Sequence, residues 1–331
     1  MNDAPVLPVP AGWLPIAFVR NEHGVFADCR PINLYQCQEP FFDQDVAACV
    51  QKPFPMVVRS FVQIERLGDY ATPDAQPAGI IFHSSRCGST LISRMLQRPP
   101  RYRAVSEAPV LKLLLKYIQS WSIEQQIAAV RGLFGLFCRT SDAAPAQTFF
   151  KLESLSTLDI ALIQQAFPAT PWIFLYRDPL ETLVSLAEKP YGDLQNRLDL
   201  LRYVGVDFET ASGWSIPETA ARCLGLIYGA GRQYMNAQGL LINYRDLAQT
   251  LFTRLPEHFR LEWSNLDRAH LRRLQQFHAK EPQFYFDNDT ERKQRTVTSE
   301  LRAAAQEWAM TAYQDLEQFR LSLHNGMLTH A

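Results

Sequence analysis

Between residues 79 and 94 the chain reads Gly-Ile-Ile-Phe-His-Ser-Ser-Arg-Cys-Gly-Ser-Thr-Leu-Ile-Ser-Arg. A short buried-type strand over Gly79–Phe82 runs into a small polar turn, then into a helical face at Leu91, Ile92, Met95 and Leu96. At such a strand–turn–helix junction several backbone N–H groups converge on one point and form an anion-binding nest. Gly88 permits close backbone approach, Arg86 adds a fixed positive charge, and Ser89 and Thr90 add hydroxyl donors. A capped helix with ordinary N-terminal serines is the plainer alternative, but it leaves the Arg and Gly of the same turn without a purpose. Cys87 has two readings. Either the helix terminus and Arg86 promote its thiolate, or it is a small residue that fits the turn.

Spacing discriminates among anion chemistries. A nucleotide-hydrolysing loop of the form G-x-x-x-x-G-K-[ST] needs Lys after its second Gly, and here Ser89 follows Gly88. A cysteine phosphatase needs Arg six positions after its Cys, whereas Cys87 and Arg94 are seven apart. A second cation, Lys151, ends the strand Thr148–Lys151 and is placed to enter the crevice outside the carboxyl edge of a parallel sheet.

Such a sheet is what the remaining pattern calls for. The strand–helix alternation recurs as strand Thr148–Leu152 and helix Thr157–Phe167, then strand Trp172–Tyr176 and helix Leu180–Glu188. A helix over Pro217–Tyr234, a strand over Leu240–Asn243 and a C-terminal helix over Glu300–Leu321 follow. The expected fold class is therefore α/β, a mostly parallel sheet flanked by helices over residues 77–331. Residues 1–76 carry the β-like runs Trp13–Arg20, Val25–Cys29 and Met56–Ile64 and a polar, aromatic stretch around Glu39–Asp43. They are expected to form a small β-rich or irregular N-terminal portion. The proline-containing segment Ala71–Ala78 marks the boundary as a linker or exposed loop.

The string Ser85-Arg-Cys-Gly-Ser-Thr-Leu91, after its strand, resembles the 5′-phosphosulfate loop of the sulfotransferase family, a variant of the P-loop. That family has a second signature, a strand ending in Arg, a turn, and a helix with Ser eight residues after the Arg. Trp172–Arg177, Asp178-Pro179 and Ser185 reproduce it. Read on its own, Arg177-Asp178-Pro179 is a salt-bridged turn with Pro at a helix start. The resemblance covers about residues 78–321. It implies 3′-phosphoadenosine 5′-phosphosulfate as co-substrate, with Arg177 and Ser185 gripping the 3′-phosphate. Tyr244, in Asn243-Tyr-Arg-Asp-Leu247, resembles a late element of the family in which Arg here replaces Glu. The segment Glu291–Arg295 lies where many members close a basic loop over the nucleotide. It lacks the Arg-Lys-Gly form, so Arg292, Lys293 and Arg295 share that expectation.

A sulfuryl transfer to a hydroxyl or amine requires removal of the acceptor's proton and stabilisation of charge on the departing oxygen. Arg86 and Lys151 are the candidates for the second task; the family usually places a cation at the position of Lys151. For the first, Glu107 falls where some members of the family have a catalytic Glu, and Glu153, two residues after Lys151, falls where others have a His. Either is expected to serve through a burial-raised pKa, or else to cap a helix or pair with an Arg. His83 is expected to pack or hydrogen-bond rather than to catalyse.

Composition bounds the rest. The 331 residues are 47% hydrophobic and 20% charged, which excludes disordered and low-complexity classes. The formal net charge of −1 gives no global field for nucleic acid or an anionic membrane, so neither is expected as a partner. Of 33 basic residues seven are Lys and 26 Arg, the side chain best matched to phosphate or sulfate oxygens. Six cysteines stand without a C-x-x-C pair, so neither a metal site nor a disulfide framework is expected. The N-terminus has no basic leader and the chain no membrane-length apolar run, and the protein is expected to be cytoplasmic. The apolar segments 112–139 and 189–217 are expected to form the pocket for a small-molecule acceptor. The N-terminal portion is expected to cover the site or to pair two copies as a homodimer. Two competing functions carry the same loop: a non-catalytic nucleotide-binding or assembly module, and a P-loop kinase.

Overall fold

A computed structural model describes residues 8–32, 39–52, 57–139, 147–189, 201, 203–277 and 290–328. The N-terminal strands β1 (Trp13–Asn21), β2 (Gly24–Pro31) and β3 (Ser60–Gln63) form an antiparallel sheet in that order. The helix α1 (Phe42–Val50) lies between β2 and β3 in sequence, in the stretch read as irregular. Five further strands follow: β4 (Gly79–His83), β5 (Tyr102–Ser106), β6 (Gln147–Lys151), β7 (Trp172–Tyr176) and β8 (Gly239–Asn243). They form a parallel sheet in the order β5-β6-β4-β7-β8.

Near-continuous apolar strands are what a parallel sheet covered on both faces requires. Alternation then divides their side chains between two cores. Ile80, Phe82, Phe150, Trp172, Phe174 and Tyr176 enter one, while Ile81, Phe149, Ile173 and Leu175 enter the other. The helices supplying these layers include α2 (Ser89–Gln97), α3 (Pro109–Tyr117), α4 (Ile123–Cys138), α5 (Ile160–Ala166), α6 (Pro179–Glu188) and α7 (Ile216–Gln233). Thereafter come α8 (Thr290–Arg295), α9 (Ser299–Trp308) and α10 (Met310–Leu328). Among the described residues no helix is long and apolar enough to cross a membrane.

The strand order sets the place of the site. From β4 the chain runs outward to β5, returns to β6 beside β4, and then crosses to β7 and β8 on the other side. The topological switch point therefore lies at the carboxyl end of β4, where successive connections part to opposite sides. Register brings the strand ends level: Ser106 pairs with Lys151, His83 with Leu175, and Tyr176 with Asn243.

Several elements differ from the sequence reading, for identifiable reasons. The edge strand β5 was not anticipated, because Arg103 stands in its centre. That guanidinium is buried, donating to the Phe137 carbonyl at 3.1 Å and to Thr148 Oγ1 at 2.7 Å. The C-terminal helix is two helices, broken at Ala309, whose ψ of −31° accompanies a φ of −121°. The break faces Gly225 of α7, where a Cβ would lie 2.0 Å from the Trp308 carbonyl oxygen, so only a glycine allows this approach. Residues 157–167 open with a tight turn over Ser154–Asp159 before α5.

In the segment 112–139 the apolar residues Leu114, Val130, Leu133, Phe134 and Phe137 join Leu14, Ala27 and Val62 of the N-terminal sheet in one core, while Leu113, Tyr117 and Ile123 stay exposed. Of the segment 189–217, residues 190–200 and 202 lie outside the described residues, as does Met56. Between the two sheets, Ala75 and Pro77 are buried, and the Ala78 N–H donates to the Thr148 carbonyl at 2.8 Å.

Candidate functional site

The turn from β4 into α2 is held in an unusual backbone shape. Ser85 and Arg86 adopt positive φ of 69° and 49°, and Gly88 follows at 88°. Left-handed backbone in two non-glycine residues persists only where surroundings fix it. Here the Ser84 N–H donates to the Leu175 carbonyl at 3.0 Å and the Cys87 thiol to the same carbonyl at 3.3 Å. A Cβ on Gly88 would lie 2.6 Å from Leu247 Cδ2 and would have to push that side chain aside, but it is the positive φ that calls for glycine. Ser89 and Thr90, both buried, open α2. Arg86 donates through Nη2 to the Lys189 carbonyl, at the far end of α6.

Cys87 corrects one of its two readings. It is fully buried, and burial pushes its thiol up to about 11 from 9.0, against the smaller effects of the Ser89 N–H and Lys151. The helix terminus does not activate it; the residue fills the turn.

Lys151, at the end of β6, has a side chain only 1% exposed. Its ammonium contacts Glu107 Oε1 and lies 3.5 Å from both Thr90 Oγ1 and Ser106 Oγ. The ring of Phe41, from the N-terminal portion, sits 5.0 Å from the same nitrogen. Glu107 follows β5 and also has positive φ, 53°, with its N–H donating to the Lys151 carbonyl at 2.7 Å. His83 Nε2 approaches Glu107 Oε1 to 3.4 Å. Burial opposes charge on Glu107, but Lys151 and His83 together hold its carboxyl well below the usual carboxylate range. The sequence expectation of a raised pKa is thus reversed, because Lys151 and His83 both lie against one carboxylate oxygen. Glu153 turns instead to Lys112, with Oε2 3.1 Å from Nζ.

On the other side of β4, Arg177 leaves the end of β7 as a buried guanidinium. Its Nε donates to Glu181 Oε2 at 2.7 Å, Nη2 to Thr290 Oγ1 at 3.3 Å, and Nη1 to the Arg86 carbonyl at 3.5 Å. The Tyr244 ring lies 4.1 Å from its Cζ. Asp178 caps α6 by accepting from Leu180 and Glu181 N–H at 2.9 and 3.3 Å, with Pro179 in the first helical turn. Ser185, half-buried, lies one turn beyond Glu181 on the same helix face.

The segment read as a basic loop is the short helix α8, packed against α6. Thr290 and Gln294 both donate to Glu181, at 3.2 and 3.3 Å. Lys293 is buried, Arg292 pairs with Glu188, and Arg295 points outward to Glu291 at 3.4 Å. The structure therefore gathers Arg86, Cys87, Gly88, Ser89, Thr90, Lys151 and Glu107 with Arg177 and Tyr244. It leaves Glu153 and Arg295 with other partners.

Phe41, Glu181 and Thr290 were missed by the sequence reading, whereas His83 hydrogen-bonds as that reading expected. Glu181 had a usable signal, four residues after Arg177 on a helix. Phe41 had none, since nothing local shows that the N-terminal portion reaches the sheet edge.

Fold and site together define an α/β protein with a left-handed, glycine-containing loop at the switch point of its sheet, flanked by a buried cation on each side. No protein-family model and no curated protein matches the sequence. Among solved structures, the chain is similar to a sulfotransferase domain from the curacin biosynthetic pathway, with 15% identity and a TM-score of 0.37, over 70% of this chain and 96% of that one. A sulfotransferase from Mycobacterium avium gives 14% identity and a TM-score of 0.39, over 76% and 79% of the two chains. The sulfotransferase domain of the Synechococcus olefin synthase gives 15% and 0.37, over 74% and 94%. The chemistry of the site is read from its own residues.

Proposed function

We propose that the protein is a sulfotransferase that uses 3′-phosphoadenosine 5′-phosphosulfate and a small-molecule acceptor bearing a hydroxyl or amine. The observation that carries this reading is that one loop is met from both sides by buried cations. Lys151 reaches it through Thr90 and Arg177 through the Arg86 carbonyl. A donor with anionic groups at both its 3′ and 5′ positions matches two such points, and the backbone of the turn approaches as closely as glycine allows.

When bound, the donor supplies an activated sulfuryl group, which passes to the acceptor as the bond to the bridging phosphate oxygen breaks. The loop N–H groups, Ser89, Thr90 and Arg86 hold the 5′ end, and Arg177, braced by Glu181 and the Tyr244 ring, holds the 3′-phosphate with Ser185. Tyr244 positions Arg177 rather than meeting the phosphate itself. Arg292 and Lys293 on α8 flank that end. Lys151, shared between Thr90 and Glu107, is sited to stabilise charge on the departing oxygen.

Glu107 accepts the acceptor's proton. Its low pKa keeps it ionised at neutral pH, so no prior deprotonation is needed. The same low basicity means that the proton moves as the new S–O or S–N bond forms and the acceptor acidifies.

Transfer from labelled donor to a panel of small hydroxyl and amine acceptors tests this. Glu107→Gln is expected to lower turnover by about 100- to 10,000-fold, and Glu153→Gln by much less. Undiminished transfer by Glu107→Gln would remove Glu107 from the mechanism. Binding of the donor without transfer to any acceptor would favour the non-catalytic module.

A further inference from the structure

His83 ends β4 with its side chain 5% exposed, between two parts of the site that the sheet keeps apart. Its Nδ1 accepts the Ser85 N–H at 3.0 Å, so in the neutral ring the proton belongs to Nε2. Nε2 faces Glu107 Oε1 at 3.4 Å, although Glu107 follows β5 and β6 intervenes between β5 and β4. Both residues that the ring joins are in left-handed backbone, Ser85 at φ 69° and Glu107 at φ 53°. Each end of the imidazole thus contacts a strained residue, one in the anion loop and one at the candidate base.

We infer that His83 is a positioning residue, a rigid spacer that sets Glu107 against the anion loop by joining the Ser85 N–H to the Glu107 carboxylate. It is not itself the base. Nδ1 is already an acceptor for the loop, Nε2 lies 3.4 Å from Glu107 Oε1, close but not aligned as a hydrogen bond, and the ring has almost no surface through which to meet an acceptor. His83 and Lys151 both address Oε1 of Glu107, so the geometry assigns Oε2 as the oxygen that takes the acceptor's proton. The inference rests on the sulfotransferase reading for the identity of the donor and the role of Glu107. The link between ring, loop and carboxylate is independent of it.

Two substitutions separate the ends of the ring. His83→Asn offers an amide oxygen near the place of Nδ1 and retains the partner of Ser85. His83→Gln offers an amide N–H near the place of Nε2 and retains the donor to Glu107. His83→Asn is expected to keep adenosine 3′,5′-bisphosphate affinity close to wild type by calorimetry and to lose about 100-fold in turnover with little change in KM. His83→Gln is expected to show the reverse emphasis, weaker nucleotide binding and better-preserved turnover.

Two spectroscopic readouts need neither donor nor acceptor. Nitrogen-15 NMR of wild-type protein is expected to show His83 as the Nε2–H tautomer. Carbon-13 titration is expected to show the Glu107 carboxyl moving up in His83→Asn and staying low in His83→Gln. An Nδ1–H tautomer, or a Glu107 titration indifferent to both substitutions, overturns the inference even if the chain proves to be a sulfotransferase. Failure of the wild type to bind the bisphosphate, with tautomer and titration as expected, overturns the donor assignment and leaves the His83 link standing.

Discussion

Two buried ionic clusters in this protein look alike in a list of charges and differ in how the backbone presents them. In the N-terminal sheet, Asp28 of β2 lies between Arg30 and Arg59, with Nη2 atoms at 3.2 and 2.8 Å. All three are on β2 or at the start of β3, with the Arg30 side chain largely covered and that of Arg59 reaching solvent. At the carboxyl edge of the parallel sheet, Lys151, Glu107, His83, Arg177 and Glu181 come from the ends of different strands and the helix after β7. Of the four non-glycine residues with positive φ among the described residues, Ser85, Arg86 and Glu107 are here. The fourth, Arg260, follows Phe259, which packs on Gly79 at the opposite end of β4. Burial and ion pairing alone do not mark a site. Charges converging from separate elements on strained backbone do.

The comparison predicts a crossed pair of effects. Arg177→Ala should weaken binding of adenosine 3′,5′-bisphosphate by about 100-fold, as expected for losing one buried charged partner. Asp28→Ala should leave that affinity unchanged while lowering the unfolding free energy by about 3 kcal/mol, because it strands two arginines. Calorimetry and denaturant titration of both variants read the two quantities. Equal effects on affinity would dissolve the distinction between the clusters.

A smaller effect sharpens it at high pH. Burial raises the thiol of Cys87 to about 11, and those of Cys29 and Cys138 to about 12, from 9.0. Above pH 9 the unfolded chain releases these protons while the folded chain keeps them, so stability is full below pH 9 and falls as pH rises toward 11 and 12. Cys87 in the site and Cys29 in the N-terminal sheet should behave alike, both resisting alkylation at neutral pH in the folded protein. Rapid alkylation of Cys87 alone, mapped by mass spectrometry, would show the loop to be more open than the structure has it.

Much of the parallel sheet was legible, because β4, β6, β7 and β8 are apolar runs bounded by turn residues and followed by amphipathic helices. β5 was not, since a buried arginine breaks its pattern and is satisfied by groups about 34 and 45 residues away in sequence. Of the site, the loop and the Arg177 turn were legible as local strings whose spacing has a physical meaning. Glu107 was singled out by position and does lie against Lys151, but the raised pKa expected of it is instead lowered. The local sequence shows that it is near a strand end and says nothing of Lys151 or His83, which come to it across the sheet. Phe41 and α8 were illegible for the same reason, as their contacts depend on tertiary packing alone.

The central claim is that the loop and Arg177 form a site for a nucleotide carrying a 3′-phosphate. Calorimetric titration of the purified chain with adenosine 3′,5′-bisphosphate, AMP and ATP tests it most directly. The account predicts tight binding of the bisphosphate, and much weaker binding of AMP, which lacks the group that Arg177 would hold. Equal or preferential binding of ATP would contradict it and return the loop to a kinase.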